Sequence, residues 1–171
     1  MKTLILGLGN PILGDDSIGW KVVETVKNRY RSREFSSTQE GNKSLLDFEN
    51  YSLGGLSLME NLIGYDRVWI IDAIHTARHP VGTVVIQKLE EFFDVQSSHL
   101  ASSHDMTLQT ALELGRSLGA TLPDEITVVG IEADINFDFS EELSSPLREA
   151  FPEVVNRVLK IIQEEVTDDL P

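Results

Sequence analysis

Leu4-Ile5-Leu6-Gly7-Leu8-Gly9-Asn10-Pro11-Ile12-Leu13-Gly14-Asp15-Asp16-Ser17-Ile18-Gly19 is the stretch from which the fold can be read. The apolar run Leu4 to Leu8 has the length of a buried strand, and Gly9-Asn10-Pro11 closes it in a turn. Past Gly14 the period changes. Ile18, Val22, Val23 and Val26 share one face of a helix that should run to about Tyr30, with Asp15 and Asp16 in the first turn, where the helix dipole favours anions.

Working outward, Arg31 to Lys43 is polar and serine-rich and reads as the most mobile connection, followed by a modest strand over Leu45 to Tyr51. Gly54-Gly55 opens a short helix through Leu58, Met59 and Leu62, which Gly64 closes. Val68-Trp69-Ile70-Ile71 is an unbroken apolar strand ending at Asp72-Ala73, and the alternating Val81 to Leu89 suits a sheet edge. Ser102 or Ser103 is expected to cap a helix carrying Leu108, Ala111, Leu112 and Leu118, with Gly119 as its terminator. Ile126 to Ile131 is a further buried strand. Ser145 and Pro146 read as N-cap and first position of a last helix that uses Leu147, Val154, Val155, Val158 and Ile162 and bends at Pro152.

Strands alternating with helices predict a three-layer α/β sandwich: a mainly parallel twisted sheet, helices on both faces and one antiparallel edge strand. The 171 residues suit one domain, residues 1–171, ending in a short acidic tail. Ligands of such sheets gather beyond the carboxyl ends of the strands, where strand order reverses.

Composition removes several classes of function. A formal net charge of −14 argues against nucleic acid and anionic membranes, both of which need Lys and Arg. With no cysteine, disulfides, thiolate metal sites and a Cys nucleophile are excluded, so any metal must be held by oxygen and imidazole. The N-terminal apolar run is too short for a signal peptide and no stretch approaches a membrane span, so a cytoplasmic location is expected.

The Gly7–Gly14 turn fails as a dinucleotide fingerprint, because Ile12 stands where a third glycine is needed and two carboxylates would face the pyrophosphate. Asp15 or Asp16 can cap the first helix, but one cap needs only one of them. The other remains for different work, and paired carboxylates on a strand-to-helix turn are typical ligands of hard cations. Asp72, at the end of an apolar strand, is placed at the same sheet edge, although turn formation is its plain alternative. His104, expected just inside the third helix, would be held neutral by the helix dipole and fit to bind metal, although a lone loop histidine is commonly incidental. His75 and His79 have i,i+4 spacing but precede Pro80 in a loop, which suits them poorly as ligands; Trp20 and Trp69 read as packing. No nucleophile elbow and no serine set beside a base and an acid is present.

Leu6-Gly7-Leu8-Gly9-Asn10, Gly14-Asp15-Asp16-Ser17-Ile18-Gly19, Ile71-Asp72-Ala73, Ser103-His104 and Val128-Val129-Gly130-Ile131-Glu132, in that order, resemble the motifs of the hydrogenase maturation proteases. Members of that family trim the C-terminus of the nickel–iron hydrogenase large subunit. The resemblance implies a metal site of Asp16, Asp72 and His104 and a nickel ion brought by the precursor, with no organic cofactor. It also implies a monomer whose partner is that precursor. The family often has Glu where Asp16 stands. In place of its Asp-Gly-Gly-Thr-like turn this chain has Asn50-Tyr51-Ser52-Leu53-Gly54-Gly55. Two mechanisms stay open: a metal that activates water and polarises the peptide carbonyl, or a metal that docks the substrate while a carboxylate guides water. A non-catalytic nickel-sensing or metal-delivery module is the rival reading. Peptidyl-tRNA hydrolase shares the Gly-Leu-Gly-Asn-Pro opening but needs a basic face that this chain lacks.

Overall fold

Five strands, β1 (Lys2–Leu8), β2 (Leu45–Tyr51), β3 (Arg67–Ile74), β4 (Val84–Lys88) and β5 (Glu125–Glu132), form one sheet in the order β2-β1-β3-β5-β4. The computed structural model describes residues 1–34, 45–91, 106–134 and 139–167. Strands β2, β1, β3 and β5 are parallel, and β4 runs antiparallel beside β5 at the edge, as the alternating pattern predicts. The chain passes from β1 to β2 on one side and then crosses back to β3 on the other side of β1, so strand order reverses between β1 and β3.

Helices cover both faces. Helix α1 (Ile18–Glu34) and helix α4 (Ser145–Thr167) bury Ile18, Val22, Val155 and Val158 against Ile5, Trp69, Ile71, Val129 and Ile131. Helix α2 (Gly55–Asn61) and helix α3 (Leu108–Ser117) bury Leu58, Met59, Leu108 and Leu112 against Leu4, Leu6, Val68, Ile70 and Val128. The central strands are apolar on both faces because each is sandwiched between two helical layers. Among the described residues no helix is long and apolar enough to cross a membrane.

Several element boundaries differ from the predicted ones. Strand β3 continues past Asp72 to Ile74, because Ala73 and Ile74 keep pairing with Ile131 and Glu132. Helix α1 runs beyond Tyr30 to Glu34, and residues 35–44, most of the connection expected to be mobile, lie outside the described residues. Helix α3 starts at Leu108 with Thr107 as its cap, since the Thr107 hydroxyl accepts the Thr110 N–H at 3.2 Å. Ser102 and Ser103, the caps expected from the sequence, lie outside the described residues. In α4 the cap is Ser144 in place of Ser145: its carbonyl accepts the Arg148 N–H at 2.8 Å. The helix then runs through Pro152 without interruption. The acidic tail lies outside the described residues.

Candidate active site

Two glycines bring the first helix down onto the strand ends. A side chain at Gly19 would collide with the carbonyl oxygens of Leu8 and Ile71, so the first turn of α1 rests directly on β1 and β3 where strand order reverses. At Gly9 the backbone has φ +142°, which L side chains rarely adopt, and the Asp16 carbonyl lies against its Cα. The segment between them folds as a tight turn, with Leu13 N–H donating to Asn10 O at 3.1 Å and Asp16 N–H to Leu13 O at 3.1 Å. Gly14–Ser17 then forms one 3-10 turn packed against α1 and β3.

Asp15 does not cap α1, against the plain expectation, because it is engaged elsewhere. The residue preceding the 3-10 turn is Leu13, which makes no side-chain cap. Asp16 accepts the Asn10 N–H through Oδ2 at 2.7 Å and so fastens the turn on itself. Asp15 reaches across the chain to the start of α4, where its Oδ1 accepts the Ser144 N–H at 2.7 Å. Its Oδ2 is buried and accepts no hydrogen bond among the described residues. The relative exposures of Asp15, Asp16 and Asp72 are 4%, 3% and 0%, which decides against reading any of them as a solvated acid.

Asp72 lies one residue beyond the Gly7–Ile71 pair of β1 and β3 and level with Gly130 of β5. Its strand neighbours at i±2 are Ile70 and Ile74, so it projects on the face covered by α2 and α3. A carboxylate in such a place is costly unless donors or a cation meet it. The turn that bears Asp16 packs against β3, the strand that bears Asp72. His104 lies outside the described residues, as does His99. Among the described residues no three His, Asp or Glu side chains gather closely enough to hold a metal ion.

Other polar groups at this edge are structural. Glu132, buried at the end of β5, accepts from Thr76 N–H at 2.7 Å, Thr76 Oγ1–H at 2.6 Å and Ala77 N–H at 2.9 Å, and so clamps the loop after β3, where Ala77 has a positive φ of 56°. His75 Nδ1 lies 3.0 Å from Ala133 O, a backbone contact that gives it a structural part. The signal for Glu132 was a lone acid closing an apolar strand. Beyond β2, Ser52 Oγ–H donates to Gly9 O at 2.6 Å and Trp20 Nε1–H to Tyr51 O at 3.0 Å. Burial, reinforced by Glu49, pushes the Tyr51 phenol up, so it stays protonated at neutral pH.

Residues 20–161 match the model of the family described as hydrogenase maturation protease. The chain belongs to that family. This protease is 28% identical over 131 residues to the hydrogenase 2 maturation protease of Escherichia coli strain K12, covering 77% of this chain and 73% of the relative. It is 26% identical over 161 residues to the hydrogenase expression/formation protein HoxM of Azotobacter vinelandii, covering 94% and 72%. Its fold is that of the hydrogenase maturating endopeptidase HybD from E. coli, with TM-score 0.70, 22% identity and coverage of 96% and 94%. The fold is also shared with the NiFe hydrogenase maturation protease HybD from Thermococcus kodakarensis, at TM-score 0.63, 24% identity and coverage of 94% and 99%. At these identities the structural matches speak for the architecture, and the family match speaks for proteolysis.

Proposed function

We propose that this protease removes a C-terminal extension from the nickel-loaded precursor of a NiFe-hydrogenase large subunit. The carrying observation is the burial of Asp16 and Asp72 on adjoining segments at the switch point of the sheet, in a chain of this family. Two carboxylates are oxygen donors suited to a divalent cation but too few to retain one, and His104 adds the imidazole that favours nickel over manganese or ferrous iron. Nickel here is part of the substrate: the precursor carries it to Asp16, Asp72 and His104, which register its presence and so position the polypeptide for cleavage. When bound, such a cation polarises neighbouring oxygens as a Lewis acid.

This chain's own groups do the rest. Asn10 N–H fixes the Asp16 carboxylate through Oδ2, so its orientation is set before substrate arrives. Asp72 is fully buried and so kept away from bulk water. The protease works in the cytoplasm, where large-subunit precursors are made, and meets its partner as a monomer.

The test is incubation of purified chain with purified nickel-loaded precursor, read by intact mass. Wild type shortens the precursor. Asp16→Ala, Asp72→Ala and His104→Ala remain folded by circular dichroism and lose at least about a hundredfold in rate, the scale expected for groups that hold a reacting centre in place. Normal trimming by all three variants would overturn the assignment. Persistent binding of an uncut precursor by wild type would instead identify a nickel-sensing or metal-delivery module.

A further inference from the structure

The turn that ends in Asp16 also displays an apolar pair. Leu13 and Ser140 form a parallel bridge, with Ser140 N–H donating to Ile12 O at 3.0 Å and Gly14 N–H to Ser140 O at 2.6 Å. The bridge and the Ser140–Ile12 hydrogen bond set Phe139 and Ile12 on directly neighbouring segments. Ile12 is 47% exposed and Phe139 is 85% exposed, the highest value among the large apolar side chains described. The strap bearing Phe139 is fixed: Asp15 holds Ser144, and Leu143 and Leu147 enter the core beneath α1 and α4. Placing an aromatic ring in water on an anchored segment forgoes burial that the fold itself does not recover. Glu141, two residues beyond Phe139 on the same strap, is exposed, as is Glu142, which pairs with Arg148 at 3.3 Å.

We propose that Ile12 and Phe139 form the docking surface for the precursor polypeptide beside the bond to be cut, gripping an apolar side chain flanked by Lys or Arg. The inference rests on the proteolytic reading above and names what that site recognises. Continuity carries it: Ile12 and Asp16 belong to one hydrogen-bonded turn, so a segment reaching Asp16 over this rim crosses the Ile12–Phe139 pair first. The exposed Glu141 on the same strap and the net charge of −14 favour a basic flank by charge complementarity and oppose docking of a second copy of this chain.

The experiment uses full-length protein and purified precursor, with steady-state cleavage and isothermal titration of binding. Phe139→Ser and Ile12→Ser, both surface changes, are expected to raise KM and Kd about tenfold while kcat stays within about twofold, the pattern of lost uniform binding. Phe139→Leu should stay near wild type, and Glu141→Lys should raise KM. Unchanged KM and Kd in both serine variants would overturn the proposal, as would a loss confined to kcat. If wild type binds precursor without cutting it, the proteolytic reading fails, and weaker binding by the serine variants still supports the docking surface. A dimer that Phe139→Ser dissociates, with KM unchanged, assigns the pair to self-association and overturns it. Absence of both binding and cleavage by wild type removes both readings.

Discussion

Gly19 shows how one atom that is missing from a side chain shapes the site. A methyl there would press on the carbonyl oxygens of Leu8 and Ile71, both backbone atoms of central strands that have no room to retreat. Gly19→Ala must therefore lift α1 off the sheet and carry the Asp16 turn with it. Overpacking in a rigid core costs about 1–3 kcal/mol, and contact with backbone puts this variant at the upper end. Urea unfolding should show a lower midpoint with an unchanged slope, and a wild-type midpoint would refute the packing argument. The part of the site built by local chain was legible: a strand, a glycine turn and paired acids fall within Leu4 to Gly19. The work of Asp15 was not, because its partner Ser144 stands 129 positions away and only the fold brings the two together.

At the level of elements, the boundary of α3 separates what pattern fixes from what it leaves open. Ser102, Ser103 and Thr107 are all acceptable caps by residue type. Thr107 directly precedes Leu108, the first buried apolar residue of the helix, and that adjacency was the available signal. The expectation of an earlier cap came from reading the serine pair in place of the apolar period. Thr107→Ala should cost about 1 kcal/mol, because the Thr110 N–H loses its acceptor. Thermal unfolding of that variant would measure the loss, and a Thr107→Ser variant should restore most of it. An unchanged midpoint in Thr107→Ala would mean that the helix start does not depend on this hydroxyl. The edge strand β4 was legible for the opposite reason: alternation is a property of the strand itself and needs no distant partner.

On the scale of the whole molecule, layer architecture followed from the alternation of apolar strands and amphipathic helices, while the order β2-β1-β3-β5-β4 depended on pairings that no local pattern encodes. That order puts the reversal between β1 and β3 beside the turn that carries Asp15 and Asp16. Charge acts at the same scale. With 28 acidic against 14 basic residues, the folded chain concentrates like charge that the unfolded chain disperses, and self-repulsion opposes compaction. Exposed charges farther apart than roughly 10 Å are largely screened at 0.1 M salt, so added sodium chloride should relieve the repulsion. Exposed ion pairs such as Lys160–Glu164 and Arg148–Glu142 are weakened by the same screening, but pairs of this kind contribute little. The two effects have opposite signs, and the excess of acids makes the first one win. The urea midpoint is therefore expected to rise between low salt and about 0.5 M sodium chloride, by on the order of 0.5 M for a gain near 1 kcal/mol. A midpoint that falls with salt would show that specific ion pairs outweigh the net charge in holding this protease together.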